Sequence, residues 1–431
     1  MSPATAGKGR VGDALDAAYR ADRGAVLARL IAVVGDFDLA EEALQDAFVA
    51  AAAAWEKGGV PKSPGAWLFT TGRRKAIDRL RRSSALERRH RAWGELAIAW
   101  DAWDAGESDL PLADDRLRLI FTCCHPALAL EARVALTLRS LGGLSTEEVA
   151  HAFFVPVSTM AQRVVRAKRK IREAGIGYRV PGPGELPERL AAVLAVIYLI
   201  FNAGYLPGDG DHLVRVDLCE EAIRLADVLV ALLPDESEPL GLSALLLLQD
   251  ARRQARIGDA GQPLTLEEQD RSRWDEVVIA QGLERLERAR GVGRPGPYWL
   301  KAAIAAVHSC APRAAETNWQ SIVALYDQLL AWEPTPVVRL NRAVAVAMAG
   351  TPADGLAVLE DPELSEALRD YHLFHLTRAD LLRRCGRVDE ASVAYAEARD
   401  HTANLAEHAF LDRRLAELGP ETSNSGRLRS P

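Results

Sequence analysis

Two stretches of the sequence concentrate side chains that suit contacts with a polyanion. Residues 73–91 carry nine Lys and Arg against two acidic residues, and residues 158–172 carry six against none. Lys and Arg neutralise phosphates, so two separate basic stretches on an acidic protein predict two distinct contacts with nucleic acid. For either stretch alone, the alternative interpretation is a solvated helix face. This alternative is less favoured because both stretches lie in recognisable motifs.

The charge is distributed unevenly along the 431 residues, whose net charge is −7. Residues 1–180 hold 27 basic against 22 acidic residues, and the rest of the chain holds 26 against 38. Apolar residues (48%) and charged residues (26%) are in ordinary proportion, which excludes a mostly disordered chain. Five cysteines, two of them adjacent, do not form a disulfide framework and fit a reducing compartment.

We predict a cytoplasmic protein with no signal peptide and no membrane contact. Residues 1–10 lack an apolar segment. The longest apolar run, residues 190–201, has twelve residues, whereas a spanning helix needs about twenty. This run therefore indicates a buried helix.

The predicted fold class is all-α, because Ala, Leu, Arg and Glu dominate and no stretch alternates as a strand does. Pro and Gly mark the breaks between helical segments. The predicted domains are a helical unit at 10–92, an acidic linker at 93–113, a second helical unit at 114–178, a larger helical domain at 185–418 and a flexible tail at 419–431.

The first basic stretch follows an amphipathic helix with an acidic outer face. Its apolar face carries Leu39, Ala43, Leu44, Ala47 and Phe48. Beyond a break at residues 58–61, aromatic residues stand beside arginines. This combination suits unpaired nucleic acid, since bases stack on rings while Arg neutralises the backbone.

The order of these parts resembles region 2 of bacterial RNA polymerase sigma factors, most closely the compact extracytoplasmic-function (ECF) group. The pattern P-x-x-W-L-x-x-x-x-R-R-x-x-x-D-x-x-R-R at residues 64–82 carries the resemblance. It implies that the acidic helix binds the polymerase clamp through Asp38, Glu42, Gln45 and Asp46. It also implies that the next helix reads and melts the −10 promoter element through Trp67, Thr70, Thr71, Arg73, Arg74, Asp78, Arg79 and Arg81. Trp67 taken alone would more often be a core residue.

The second basic stretch has the pattern of a helix-turn-helix. Ser145 and Glu148 predict a capping box, and Pro156 ends the first helix. Ser158 or Thr159 is expected to cap the second helix. That helix is expected to turn Val164, Val165 and Ile171 inward and to leave Gln162, Arg163, Arg166 and Arg169 outward. Gln162 and Arg163 are the candidate base readers, since Gln pairs with adenine and Arg with guanine.

The string G-L-S-x-E-E-V-A, followed by P-x-x-T-x-x-x-R-x-x-R-A, resembles sigma region 4, which reads the −35 element. The turn position that family members usually fill with Gly holds Phe154. The resemblance implies −35 contacts by Ser158, Thr159, Gln162, Arg163, Arg166, Lys168 and Arg169. A helix-turn-helix regulator with a helical-repeat sensor domain, not a polymerase subunit, is the alternative. The region 2 pattern upstream argues against it.

The segment between the two motifs, residues 93–115, holds seven acidic residues and no Lys or Arg. About twenty extended residues reach about 65–70 Å, enough to span about two turns of duplex DNA. The resemblance implies that this linker runs through the nucleic-acid channels of the polymerase, where its acids would mimic a polyanion.

Cys123, Cys124 and His125 invite a metal site, but adjacent helical residues point about 100° apart and no second ligand pair lies nearby. Buried thiols are the favoured interpretation. We predict no metal and no cofactor.

The acidic C-terminal half carries an internal repeat. Residues 338–361 align with 374–397 at an offset of 36, matching Ala343 with Ala379 and Leu359 with Tyr395. This spacing of small residues predicts paired helices, as in a degenerate tetratricopeptide (TPR)-like solenoid. The strings at 197–205, 248–253, 270–274 and 340–345 resemble the C-terminal extension of one ECF subgroup, although Ala203 stands where Glu is expected.

Seven residues in this half could line an enzyme pocket, but no nucleophile elbow, phosphate loop or metal spacing accompanies them. Salt bridges that hold a long inter-helix connection explain them more simply. They are Asp250, Arg252, Arg253, Asp270, Arg271, Arg273 and Trp274.

The sequence thus predicts a sigma factor that directs promoter-specific initiation and is not an enzyme. The expected partners are promoter DNA and core RNA polymerase, at its clamp and flap regions. The C-terminal domain is expected to modulate activity by contacting polymerase or the two sigma regions.

Overall fold

The computed structural model describes residues 3–84, 112–153, 155–205, 216–258, 264–402 and 404–418. Every regular element in these ranges is a helix, which confirms the all-α fold class. The chain divides into two compact units, Met1–Leu199 and Ile200–Pro431. The finer domain bounds stay predictions. Nearly all of the acidic linker, the whole tail and Phe154 lie outside the described residues.

The first unit contains the helices that the two sigma-like motifs predict. Its described helices are α1 (Pro3–Val34), α2 (Phe37–Gly58), α3 (Pro64–Ser84), α4 (Leu112–Cys123), α5 (Leu130–Ser140), α6 (Thr146–Ala152), α7 (Val157–Glu173) and the start of α8 (Leu186–Tyr205).

The acidic helix α2 begins and ends at residues that favour such positions. Asp36 is its N-cap, and Asp36 Oδ1 accepts a hydrogen bond from the Leu39 backbone N–H at 3.0 Å. Gly59, with φ +81°, follows its last turn. The apolar stripe of the helix is buried at Ala40, Ala43, Leu44, Ala47, Ala51 and Trp55. Asp38 and Glu42 are exposed, whereas the side chain of Glu41 is mostly buried.

Helices α6 and α7 form the predicted helix-turn-helix. The capping box of α6 is confirmed, because Ser145 Oγ accepts from the Glu148 backbone N–H and Glu148 accepts from the Ser145 N–H. The predicted cap of α7 is wrong. Pro156 occupies the N-cap and α7 starts at Val157, so no side-chain hydroxyl caps it.

The second unit continues the all-helical pattern. Its described helices are the end of α8, then α9 (Val216–Leu232), α10 (Ser237–Asp250), α11 (Glu276–Val292), α12 (Pro297–Cys310), α13 (Trp319–Trp332), α14 (Pro336–Ala349), α15 (Pro352–Leu359), α16 (Pro362–Ala367), α17 (His372–Arg384), α18 (Val388–Asp400) and α19 (Leu405–Leu418). Short 3₁₀ turns cover Arg253–Ala255, Arg271–Arg273 and Ala314–Glu316.

The internal repeat corresponds to two helix pairs, α14 with α15 and α17 with α18. The second helix of each pair starts at Pro352 and Val388, which differ by the offset of 36 residues. Matched positions are buried in one apolar core, as at Ala343 and Ala379. The repeat therefore places equivalent small residues at equivalent helix contacts.

Among the described residues, α8 is the one helix that is long and apolar enough to span a membrane. Val193, Ile197 and Phe201 are among its apolar side chains that are buried in the protein. This burial is typical of a core helix and agrees with the prediction for residues 190–201.

Candidate nucleic-acid and polymerase interfaces

Helix α3 packs closely on α1 and α2 and carries the predicted −10 residues. A Cβ atom at the buried Gly72 would lie 3.1 Å from Leu30 Cδ1 and 3.4 Å from the Ala43 carbonyl oxygen, so only glycine fits there without displacement. Trp67 is half-buried, with its ring edge-on to the buried Trp55 at a centroid distance of 5.8 Å. Part of the Trp67 ring therefore packs against the helical unit.

The other predicted −10 residues differ in exposure. Thr70 is exposed and donates a hydrogen bond to the Ala66 carbonyl at 2.9 Å. Arg74 and Asp78 are exposed, whereas Thr71 and Arg73 are half-buried. The Arg81 side chain lies outside the described residues.

Arg79 joins α3 to the acidic face of α2. Its Nη2 donates to Asp46 Oδ2 at 2.7 Å, its Nε donates to the same oxygen at 3.2 Å, and its Nη1 donates to Glu42. The hydrogen bond with Asp46 raises the pKa of the Arg79 guanidinium. Arg79, a predicted DNA contact, thus pairs with Glu42 and Asp46, which are predicted polymerase contacts. Gln45, another predicted polymerase contact, is exposed.

The outward face of α7 is polar and basic. Ser158, Gln162, Arg166 and Arg169 are exposed on it, and Arg163 and Thr159 are half-buried. Sequence reasoning placed Val165 inward, and this was wrong: Val165 is 64% exposed. The spacing of three and four residues from Gln162 and Arg169 puts it on their face. A valine there can make an apolar contact with a thymine methyl group.

Lys168 points away from that face and is only 9% exposed. Its Nζ donates to Asp38 Oδ1 at 2.9 Å and to Glu41 Oε2 at 3.0 Å, and both acids belong to α2. Arg172, one turn further along α7, lies 3.5 Å from Asp36. The sequence predicted a DNA contact for Lys168, whereas the structure places its ammonium group in an ion pair within the protein.

Further hydrogen bonds connect the helix-turn-helix part to α1. The Tyr19 hydroxyl donates to the Gly143 carbonyl at 2.9 Å, and Arg23 Nη1 donates to the Arg139 carbonyl at 2.8 Å. The Tyr178 hydroxyl donates to the Ala28 carbonyl at 2.7 Å. Burial lowers the pKa of Arg23. The two sigma-like parts therefore form one packed unit in this structure.

Replacing Lys168 with methionine is expected to lower the free energy of unfolding of the first unit by about 1–3 kcal/mol. Removing Lys168 leaves the mostly buried Glu41 with only Arg139, at 3.7 Å, as a cationic partner, and the exposure of Asp38 reduces the loss. Urea denaturation of the full chain measures it. The control is Lys170→Met, an exposed lysine of the same helix, which should change stability by less than about 0.5 kcal/mol. Equal effects of the two substitutions would contradict the ion pair.

The adjacent cysteines are both buried, which confirms the favoured interpretation. Burial raises the pKa of Cys123, and it raises the pKa of Cys124 to about 11, with Cys124 Sγ 3.4 Å from Thr137 Oγ1. Both side chains are therefore neutral thiols at neutral pH and act as small apolar groups.

Comparison with known proteins agrees with this arrangement. The family model for sigma-70 region 2 matches residues 18–85, and that for sigma-70 region 4 matches residues 118–171. Residues 189–290 match a family of unknown function, DUF6596.

Three curated relatives illustrate the similarity. An uncharacterized protein of Rhizobium meliloti is 41% identical over 414 residues, covering 94% of this chain and 96% of that protein. The probable ECF RNA polymerase sigma factor SigI of Mycobacterium tuberculosis is 31% identical over 173 residues, 39% of this chain and 58% of SigI. The ECF RNA polymerase sigma factor SigK of a Mycobacterium species is 29% identical over 156 residues, 35% of this chain and 78% of SigK.

A region 2 match followed by a region 4 match defines a promoter-specificity subunit of the sigma-70 type. Together with the ECF relatives, these matches support an extracytoplasmic-function sigma factor of bacterial RNA polymerase. Its function is that of an RNA polymerase sigma factor in promoter-specific transcription initiation. The alternative of a helix-turn-helix regulator is not favoured, because it leaves region 2 unexplained. Membership of this family is consistent with the prediction that the chain is not an enzyme.

Proposed function

We propose that this sigma factor binds the clamp of core RNA polymerase through α2 and the flap through its helix-turn-helix part. Helix α3 reads and melts the −10 element, and α7 reads the −35 element. The protein works in the cytoplasm. Its C-terminal helical domain modulates these steps.

The observation that carries the proposal is the outward face of α7. Gln162, Arg166 and Arg169 are exposed side by side on the second helix of a helix-turn-helix. Such a helix enters the major groove, where Gln and Arg can read base edges and further arginines contact phosphates. The exposed Val165 adds an apolar contact to this surface.

The pairing of α2 with α3 and α7 suggests how binding proceeds. Glu42 and Asp46 form an exposed pair with Arg79, and exposed pairs contribute only about 0–1 kcal/mol. Polymerase and DNA can therefore replace that pair at small cost. Lys168 is buried beside Asp38 and Glu41, so its release costs more. We propose that core binding separates α7 from α2 and supplies the free energy for this release.

Run-off transcription tests the proposal. The template carries the promoter upstream of the gene for this protein, and the reaction contains core polymerase of the source bacterium with the full-length chain. Initiation is expected only when both proteins are present. Core polymerase alone and the chain alone are the controls.

The opposite result has a distinct signature. If the chain alone binds duplex promoter DNA tightly and gives no initiation with core polymerase, the protein is a free-standing helix-turn-helix regulator and the proposal is wrong.

A further inference from the structure

Among the seven pocket candidates in the acidic half, two arginines with buried guanidinium nitrogens have no ion pair with an acidic side chain in the described part of the chain. Asp250 lies 3.6 Å from Arg253, as the salt-bridge interpretation predicts. Within the described ranges, Arg252 and Arg271 form no ion pair with an acidic side chain, and Nε of each is buried without a hydrogen-bond partner. Salt bridges therefore explain Arg253 but not these two arginines.

Arg271 is held so that one edge of its guanidinium group stays unused. Its Nη1 donates to the carbonyl groups of His308 and Ala311, both at 2.6 Å. The two remaining nitrogens, Nε and Nη2, are buried and have no hydrogen-bond partner among the described residues. These two nitrogens form the edge of the guanidinium group that can donate two parallel hydrogen bonds to a carboxylate.

The surroundings of Arg271 are electropositive. The Cζ atoms of Arg271 and Arg252 lie 4.4 Å and 5.8 Å from the ring centroid of Trp274. Burial, Arg252 and Arg271 lower the pKa of His308 to about 4, so this imidazole is neutral at neutral pH. A cation that is partly removed from water without a counter-ion is costly, and a bound anion would relieve that cost.

Arg271 also lines a cavity of about 160 Å³. Thr317 lines the same cavity, and within the described ranges its buried Oγ1 has no hydrogen-bond partner. The apolar part of the wall is formed by Leu266, Trp319, Val344 and Met348. A cavity of about 150 Å³ lined by apolar groups holds one benzene molecule, so an apolar group of that size fits here.

The other arginine of the cavity wall, Arg384, is already paired with acidic side chains. Arg384 Nη2 donates to Glu267 Oε2 at 2.8 Å, and Arg384 Nε donates to Asp380 Oδ2 at 2.7 Å. Arg271 is therefore the arginine of this wall that can pair with a negatively charged ligand. The Glu267 carboxylate is already paired with Arg384.

We propose that this cavity binds a small organic carboxylate with an apolar body of about benzene size. The carboxylate accepts hydrogen bonds from Arg271 Nε, Arg271 Nη2 and the Thr317 hydroxyl, and the apolar body packs on Trp319, Val344 and Met348. The inference does not depend on the proposed promoter contacts, because binding is measured on the protein by itself.

Titration calorimetry of the full-length chain tests the site, with sodium benzoate and sodium 3-methylbutanoate as probes. Benzamide is the uncharged control for benzoate. At least one carboxylate is expected to bind, and benzoate at least about tenfold more tightly than benzamide, because only a carboxylate forms charge-assisted bonds with the arginine. Failure of both carboxylates to bind, or equal binding of benzoate and benzamide, would overturn the proposal.

Variants locate the binding. Arg271→Gln is expected to weaken carboxylate binding at least about tenfold, and Thr317→Val about threefold or more. The matched control Arg273→Gln changes an exposed arginine of the same turn and should leave binding unchanged. If Arg271→Gln does not fold, Thr317→Val decides. Unchanged binding in Thr317→Val, or in a folded Arg271→Gln, would overturn the site.

Discussion

Replacing both Gln162 and Arg163 with alanine is expected to lower initiation from the native promoter by at least about 30-fold, since each good base contact contributes about 1–3 kcal/mol. Both residues lie in the N-terminal half of α7, the part of a recognition helix that faces base edges. Run-off transcription with core polymerase measures the loss. By contrast, Arg169→Ala should weaken binding alike on all sequences and reduce the salt slope by about 1, as a phosphate contact does.

A second template with a scrambled −35 element separates reading from folding. The unsubstituted chain should initiate far better on the native template, and the double variant should show little preference. Thermal melting should be nearly unchanged, because Gln162 is exposed and Arg163 is half-exposed. A double variant that keeps the original preference would show that α7 does not read the −35 element.

Substituting alanine for Gly241 is expected to lower the melting temperature of the second unit by about 4–8 °C, which corresponds to a loss of about 2 kcal/mol. A Cβ atom at this buried position of α10 would lie 2.7 Å from the Trp299 backbone nitrogen and 2.9 Å from Trp299 Cα. Backbone cannot rotate away as a side chain can, so α10 and α12 must move apart. That movement disturbs the hydrogen bonds from the Tyr298 and Trp299 backbone N–H groups to Glu238, at 2.9 Å and 3.2 Å.

Calorimetry of the full chain measures this change, and Gly291→Ala is the matched control. Gly291 is exposed near the end of α11 with open space around it, so alanine there should stabilise by up to about 1 kcal/mol. If Gly241→Ala also stabilised the unit, the close approach of α10 and α12 would be wrong. Run-off transcription at a temperature between the melting temperatures of the two variants then tests whether the C-terminal domain modulates initiation. At that temperature the domain is unfolded only in Gly241→Ala, so the initiation rates of the two variants should differ.

Much of the fold was predictable because the signals are local. The capping box needs residues only three positions apart, and the helix pairs of the repeat follow from small residues at a fixed offset. The cap of α7 was mispredicted because Pro156, in an extended conformation, is itself the last residue before the helix. Val165 was mispredicted because its apolar character was weighed above its position, about 100° around the helix from the buried Val164.

The candidate site was predictable as a set of residues but not as a set of contacts. The predicted outward residues of α7 are exposed or half-exposed on one face, as helical spacing indicates. Lys168 belongs to the same basic stretch, yet it lies on the buried side and pairs with α2. Local charge density does not distinguish these two environments.

By itself, the sequence determined the helical class, the order of the two motifs and hence the sigma-factor family, because these depend on residue types at short, regular spacing. Only the tertiary structure decided which charges are compensated. Lys168 meets Asp38 across 130 positions of the chain, and Arg271 reaches its cavity without any acidic partner among the described residues. The physical reason is that an ion pair depends on distance through space and on removal from water, and packing sets both.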